Sequence, residues 1–284
     1  SAFCRTAPDL VISPSASCPL TDKEASFFRG IHRYHGFSHA DYLRLANRIV
    51  EVAKANVTTC GARPQTRLRE RVTLYLIAKA VTTFESIVRL MDLGHDCDAQ
   101  ILARSLLEAF AKAHYIKLSP DPEKAVKEFA DHWIKKTAKA FNRAESYPEP
   151  FFKDFLADVD PQKQMRARDT KTVYWVEKIT EMFNKISADA TIGTFPREWY
   201  DILSDLVHSN ASAMRLYLDP KSNFSPFLSR PGSRKDQSPL LHVLCAVTMM
   251  AVELLCEAFG QPKPAESPEL IRALHALPSA PTAP

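Results

Sequence analysis

At 284 residues, with 45% hydrophobic and 25% charged side chains, the chain is long enough to bury a substantial core and too apolar to be intrinsically disordered. Its 37 basic and 33 acidic residues leave a net charge of +4, which permits a polyanionic partner without specifying one. Only 7 glycines are present, and the 20 prolines gather near the amino terminus, at joints and in the tail, so the long intervals between them exclude a turn-rich β fold and predict helices.

Residues 1–20 read as a flexible arm broken by Pro8, Pro14 and Pro19. Asp22 is placed to cap a short helix. A clearer helix opens at Ser38 or His39, where Tyr42, Leu45, Ala46, Ile49 and Ala53 recur at helical spacing, and Gly61 and Pro64 close it. Gln65 to Leu93 is predicted as the longest helix, apolar around much of its circumference, with Gly94 where a C-terminal cap belongs. Asp96 or Asp98 starts the next, which runs to Leu118 and stops at Ser119-Pro120. The short link between these two predicts an antiparallel hairpin.

A helix from Glu123 to about Ser146 follows, ended by Pro148 and Pro150, then short turns over 151–170 and a helix from Val173 to about Ala188. Pro196 fits the first turn of a further helix that reaches His208. Leu240 to Phe259 is nearly all apolar and long enough to cross a membrane. His242, Glu253 and Glu257 would be costly in lipid, so a buried or dimer-forming helix is expected and no membrane span. From Gln261 the Pro-rich tail is expected to be mostly disordered, apart from a turn near Ile271. The fold class expected is therefore all-α, a multi-helix bundle around the 65–118 hairpin, with one helical domain over 21–260 between an arm and a tail.

Two polar notches interrupt the apolar helical text. In the first, Gln100, Arg104, Glu108, Lys112 and Tyr115 share a flank opposite Leu106 and Phe110. Arg and Glu four residues apart are either a surface ion pair or a fixed cation for phosphate or carboxylate, oriented by its neighbour. In the second, Asp201, Ser204, Asp205, His208 and Ser212 align opposite Trp199, Ile202, Leu203 and Leu206. A histidine with a carboxylate one turn away is either a general acid or base near neutral pH or a structural histidine.

Other features exclude more than they propose. Basic clusters at Arg63, Arg67, Arg69 and Arg71, at Lys135, Lys136, Lys139 and Arg143, and at Lys163, Arg166, Arg168 and Lys171 read first as solvated helix faces. His32, His35 and His39 invite a metal reading, but Gly36 interrupts their helix and no acidic partner has matching spacing, so no metal is expected. The six cysteines contain no C-x-x-C pair, which argues against a disulfide framework or structural zinc and fits a reducing cytoplasm. A secretory signal is not expected, because no basic segment precedes a continuous apolar block near the amino terminus. P-loop, Rossmann, nucleophile-elbow and zincin motifs are missing, so no nucleotide cofactor is expected.

At Leu90-Met91-Asp92-Leu93-Gly94, Arg104-Ser105-Leu106-Leu107-Glu108 and Leu203-Ser204-Asp205-Leu206-Val207-His208-Ser209 the chain resembles an uncharacterised, mainly microbial family of all-helical proteins with R-S-L-x-E and L-S-x-x-V-H motifs. The likeness covers about residues 70 to 218 and implies a shared Arg/Glu/His site without an assigned activity. A looser similarity runs to the HEPN superfamily, whose metal-independent ribonucleases act as dimers through an R-x(4–6)-H pair. The chain departs there, because Asp201, Ile202 and Leu203 stand where an Arg should precede His208. Formal matches elsewhere, such as Arg29 to His35, Arg33 to His39 and Arg89 to His95, show how cheap that pattern is. The resemblance then implies that Arg104 supplies the cation from another helix. The expectation is a cytoplasmic, homodimeric, HEPN-like protein that binds or cleaves RNA through His208, Arg104, Glu108 and Asp205; the alternative is a non-catalytic interaction or regulatory module, such as a defence-associated protein with a protein partner, in which the Arg/Glu/His network is structural.

Overall fold

Tyr42, Ala46, Ile49 and Ala53 bury one stripe of the first helix, α1 (His39–Gly61), while Arg44, Asn47, Arg48 and Glu51 stay exposed on the other. The computed structural model describes residues 39–64, 67–130, 179–189, 192–207, 218–219, 225–226 and 238–276. After the joint at Pro64 comes α2 (Leu68–Asp92), whose first free donor is met when Glu70 accepts the Arg67 backbone N–H at 3.2 Å. Its end is a full Schellman turn. Gly94, at φ 83°, donates to the Met91 carbonyl at 3.1 Å, and His95 donates to the Leu90 carbonyl at 2.8 Å.

That turn leaves three residues between α2 and α3 (Asp96–Leu118), so the two helices lie side by side and pack more extensively than any other pair among the described residues. Ser119 is extended, at φ −62° and ψ 137°, as the following Pro120 requires. Helix α4 begins over 122–130, where Asp121 caps it by accepting the Lys124 N–H at 3.0 Å. Further on lie α5 (Ile179–Ser187), α6 (Phe195–Val207), α7 (Ser238–Ala258) and α8 (Ser267–Ala276). Apart from a two-residue antiparallel pairing of β1 (Leu218–Asp219) with β2 (Ser225–Pro226), regular structure among the described residues is helical, and the fold is all-α.

Helix α3 is the buried centre, packed by α2, α5, α6 and α7. Alanines at 99, 103, 109, 111 and 113 are all essentially inaccessible and let those neighbours approach closely. Helix α7 packs on α1, α2 and α3. Tyr42 meets His242 edge-on with ring centroids 6.1 Å apart, and the Cys256 thiol donates to Asn56 Oδ1 at 3.6 Å. Each pair is separated by 200 residues, so α1 and α7 run parallel and in step. The apolar run that reaches membrane-spanning length, Pro239–Ala258, is the one such helix among the described residues, and 78% of its most apolar window is buried inside the fold.

Beyond residue 260 the structure corrects the expected disordered tail. Gly260, at φ 59°, closes α7 with the same turn as Gly94, and α8 folds back onto α7 and α1 with Leu270 and Leu274 buried. Pro268 stands in the first turn of α8, where its fixed φ suits helix initiation, so the prolines here delimit a helix rather than prevent one. The expected elements at 1–38, 131–178 and 277–284 lie outside the described residues.

Leu274→Ala is expected to lower stability by about 2–3 kcal/mol through lost burial and a residual cavity. The neighbouring surface substitution Arg48→Ala, which removes only the exposed 3.0 Å pair with Glu269, should change it little. Urea denaturation midpoints of the two variants make the comparison.

Candidate functional site

The flank of α3 that carries Arg104 and Glu108 faces α5 and α6 rather than open solvent. The side chains are 21% and 28% exposed, and Arg104 Nε lies 3.3 Å from Glu108 Oε1. Lys112 Nζ, one turn further along, is 3.9 Å from the other carboxylate oxygen. The third member comes from α6: Arg104 Nη2 donates to Tyr200 Oη at 3.3 Å, and Tyr200 Oη donates to Glu108 Oε1 at 3.4 Å. These long bonds form a closed triangle of cation, phenol and carboxylate.

Tyr200 is 4% exposed and held by its ring as well as its hydroxyl. It packs on Phe183 of α5 with centroids 4.8 Å apart, and the Arg104 guanidinium carbon lies 5.4 Å from its ring centroid. Helices α3, α5 and α6 therefore meet at one phenol. Four residues on, the Ser204 hydroxyl is buried without a hydrogen-bond partner among the described residues. Asp201, expected on the same polar face, instead pairs with Arg197 at 3.6 Å toward the surface, while Leu203 is fully buried.

A second polar contact fixes the direction of α6. His114, 6% exposed, stands 3.7 Å through Nε2 from the Asp189 carboxylate on the α5–α6 connection, beside the Phe110 ring. From Asp189 to Tyr200 the chain moves from the level of His114 back to that of Arg104, so α6 runs antiparallel to α3. Its carboxyl end consequently points toward the amino-terminal half of α3. Asp205 lies in the last turn of α6, and His208, with Ser212, lies outside the described residues.

Sequence reasoning paired Arg104 with Glu108 and missed Tyr200 and the His114–Asp189 contact. Tyr200 precedes Ser204 by one helical turn, which was the available signal. Of the histidines proposed as metal ligands, His39 begins α1, and His32 and His35 fall outside the described residues. Among the described residues no three His, Cys, Asp or Glu side chains gather in a way that could hold a metal ion.

Fold and geometry define an all-helical protein with a half-buried arginine–tyrosine–carboxylate cluster between packed helices. The chain belongs to the family of unknown function DUF5677, whose model matches residues 70–225 and so contains both polar motifs. No curated protein and no solved structure matches it.

Tyr200→Phe keeps the ring packing and removes the bridging hydroxyl, so it is expected to cost about 1 kcal/mol. Glu108→Ala takes the carboxylate from two cations and the phenol and should cost more, about 1.5–3 kcal/mol, read by chemical denaturation. Stability should also fall with acidification. Burial, reinforced by Lys117, holds the His114 imidazole below its ordinary pKa, with Asp189 opposing; burial and His275 do the same at His242. Both are favoured neutral in the fold, so the unfolded chain binds more protons once the pH drops below about 6.5. Melting temperature should decline from there toward pH 5, and a His114→Leu/His242→Leu variant should show a shallower decline.

Proposed function

We propose that this protein binds RNA and cleaves it without a metal ion, with Arg104 holding the scissile phosphate, His208 moving the proton, and Glu108 and Asp205 orienting the two. The observation that carries the reading is the Arg104 guanidinium, kept partly desolvated and fixed in direction by Glu108 and Tyr200. A cation already oriented in a low-dielectric setting stabilises developing phosphate charge without reorganising during the reaction. The Ser204 hydroxyl, buried without a hydrogen-bond partner among the described residues, supports the reading as a further donor within the L-S-x-x-V-H motif.

In this scheme His208 accepts the proton of the ribose 2′-hydroxyl as that oxygen attacks phosphorus. The bond to the 5′-oxygen breaks and that oxygen takes a proton from solvent water, giving a 2′,3′-cyclic phosphate and a 5′-hydroxyl end. Arg104 meets the charge on the non-bridging oxygens throughout. We place the reaction in a cytoplasmic homodimer, and extend the working domain from 21–260 to Ala276, because α8 packs into the same core.

One observation favours a second reading, a non-catalytic interaction module. Arg104 already spends donors on Glu108 and Tyr200, and those bonds join α3 to α6. As a structural lock the cluster would need no ligand.

Metal-free incubation of the full chain with a mixed RNA pool, beside His208→Ala, separates the two. The ribonuclease reading expects cyclic-phosphate ends from the wild type alone and an unchanged melting temperature in the variant. If the wild type neither binds nor cuts RNA, while Arg104→Ala and His208→Ala both melt well below it, the interaction module is the correct reading.

A further inference from the structure

The imidazole of His114 is 6% exposed, and neither ring nitrogen has a hydrogen-bond partner among the described residues. Buried polar atoms left unmet in this way are uncommon, because each carries the cost of its lost hydration. Nε2 nevertheless faces the Asp189 carboxylate at 3.7 Å, just beyond hydrogen-bond reach. Among the described residues the charged groups that act on the ring are Lys117 of α3, Asp189 of the α5–α6 connection and Glu257 of α7, which pairs with Lys117 at 2.7 Å. Lys185 of α5 is turned to the neighbouring Tyr115 ring, 5.1 Å from its centroid.

Asp189 is also the residue on which the turn into α6 is built. Its N–H donates to the Ile186 carbonyl at 2.9 Å, and its own carbonyl accepts the N–H groups of Ile192 at 3.0 Å and Gly193 at 3.1 Å. Ile192 is buried in the core. Thr194 then caps α6: its carbonyl accepts the Arg197 and Glu198 N–H groups, and its hydroxyl donates to the Glu198 carboxylate at 2.9 Å. Tyr200 follows within the second turn of that helix. Its bonds to Arg104 and Glu108, at 3.3 and 3.4 Å, stand at the long limit, so a small displacement of α6 makes or breaks them.

We infer that His114 and Asp189 are positioning residues for the Arg104 site, setting the height of α6 at which Tyr200 meets Arg104 and Glu108, and that a proton taken up by His114 from solvent resets it. An imidazolium opposite a carboxylate closes to a charge-assisted bond of about 2.7–2.9 Å, which draws the α5–α6 turn toward α3. The long Tyr200 bonds do not pass through such a shift unchanged. Burial and Lys117 hold the imidazole below its ordinary pKa, with Asp189 and Glu257 opposing, so the neutral, wider-spaced pair prevails at pH 7 and the closed pair at acid pH. Protonation thus costs the fold stability as a whole while drawing this one pair together. The consequence for catalysis rests on the RNA reading of the Arg104 site; the control of Tyr200 does not.

Its test is NMR of the full chain labelled with 13Cζ-tyrosine, the Tyr200 signal being assigned by its loss in Tyr200→Phe and followed from about pH 8 to pH 5. Wild type should show a transition at Tyr200, and His114→Gln and Asp189→Asn should each abolish it. Lys117 is 32% exposed, so Lys117→Ala leaves the core intact. That change removes the cation opposing the imidazolium and frees Glu257 to favour it, so the midpoint should move to higher pH, which a merely packed histidine would not explain. In metal-free RNA cleavage Asp189→Ala should lower kcat about tenfold to a hundredfold with KM unchanged, and Asp189→Asn, which can still meet a neutral imidazole, should recover most of that loss at pH 8. A Tyr200 signal that does not titrate, that titrates identically in His114→Gln, or whose midpoint stays in place in Lys117→Ala overturns the inference. A wild type that cuts no RNA, with the Tyr200 signal still following His114, overturns the ribonuclease reading and leaves the positioning pair standing.

Discussion

The burial of α3 on nearly every side is the constraint from which the rest of the structure follows. Packed by four others, α3 keeps only a partly exposed flank for Arg104, Glu108 and Lys112, 21%, 28% and 29% exposed, while Gln100 and His114 are buried. Each must find a partner inside the fold or be excluded from it, because an unpaired buried polar group costs more than a hydrogen bond returns. The alanines of α3 allow close approach, and close approach brings Tyr200 within reach of both Arg104 and Glu108. Packing density and site geometry thus have one cause.

The same logic explains the charges in α7, the most apolar helix. Glu253 pairs with Lys263 at 2.6 Å just beyond the Gly260 turn, and Glu257 pairs with Lys117 at 2.7 Å at the end of α3. His242 lies against Tyr42 where α1 and α7 begin together. These groups sit at the edges of a core helix, each against a particular neighbour, which a lipid environment would not supply. The pairing also ties the far ends of α3 and α7 together, so that α3 is anchored beyond the span that carries Arg104.

Four of the long helices were legible in the sequence because their limits are local chemistry. Pro64, Gly94, Ser119-Pro120 and Gly260 act through their own backbone torsions, and no distant residue is needed to read them. Helix α8 was missed for the opposite reason: the proline density around it outweighed the Leu270/Leu274 pair, whose value depends on α1 and α7 being there to cover it. In the site, Arg104 and Glu108 were readable as an i, i+4 pair. Their phenol partner lies 96 and 92 residues away, and only the antiparallel run of α6 against α3 brings it to them. Tyr200 looked like one more large residue on an amphipathic helix because its hydroxyl has no meaning until the carboxylate is opposite.

The exposed cations of α2 and the half-buried Arg104 differ in physical kind. Arg67 and Lys79 are exposed on long stems and screened by salt. Arg104 has surrendered that freedom: its guanidinium is fixed by a carboxylate and a phenol and mostly removed from water. Such a group binds little by itself, since part of its charge is already answered by Glu108. On the proposed ribonuclease reading it would discriminate instead, favouring a ligand that brings more negative charge to one position than Glu108 alone supplies, as phosphate does when it gains a fifth oxygen ligand.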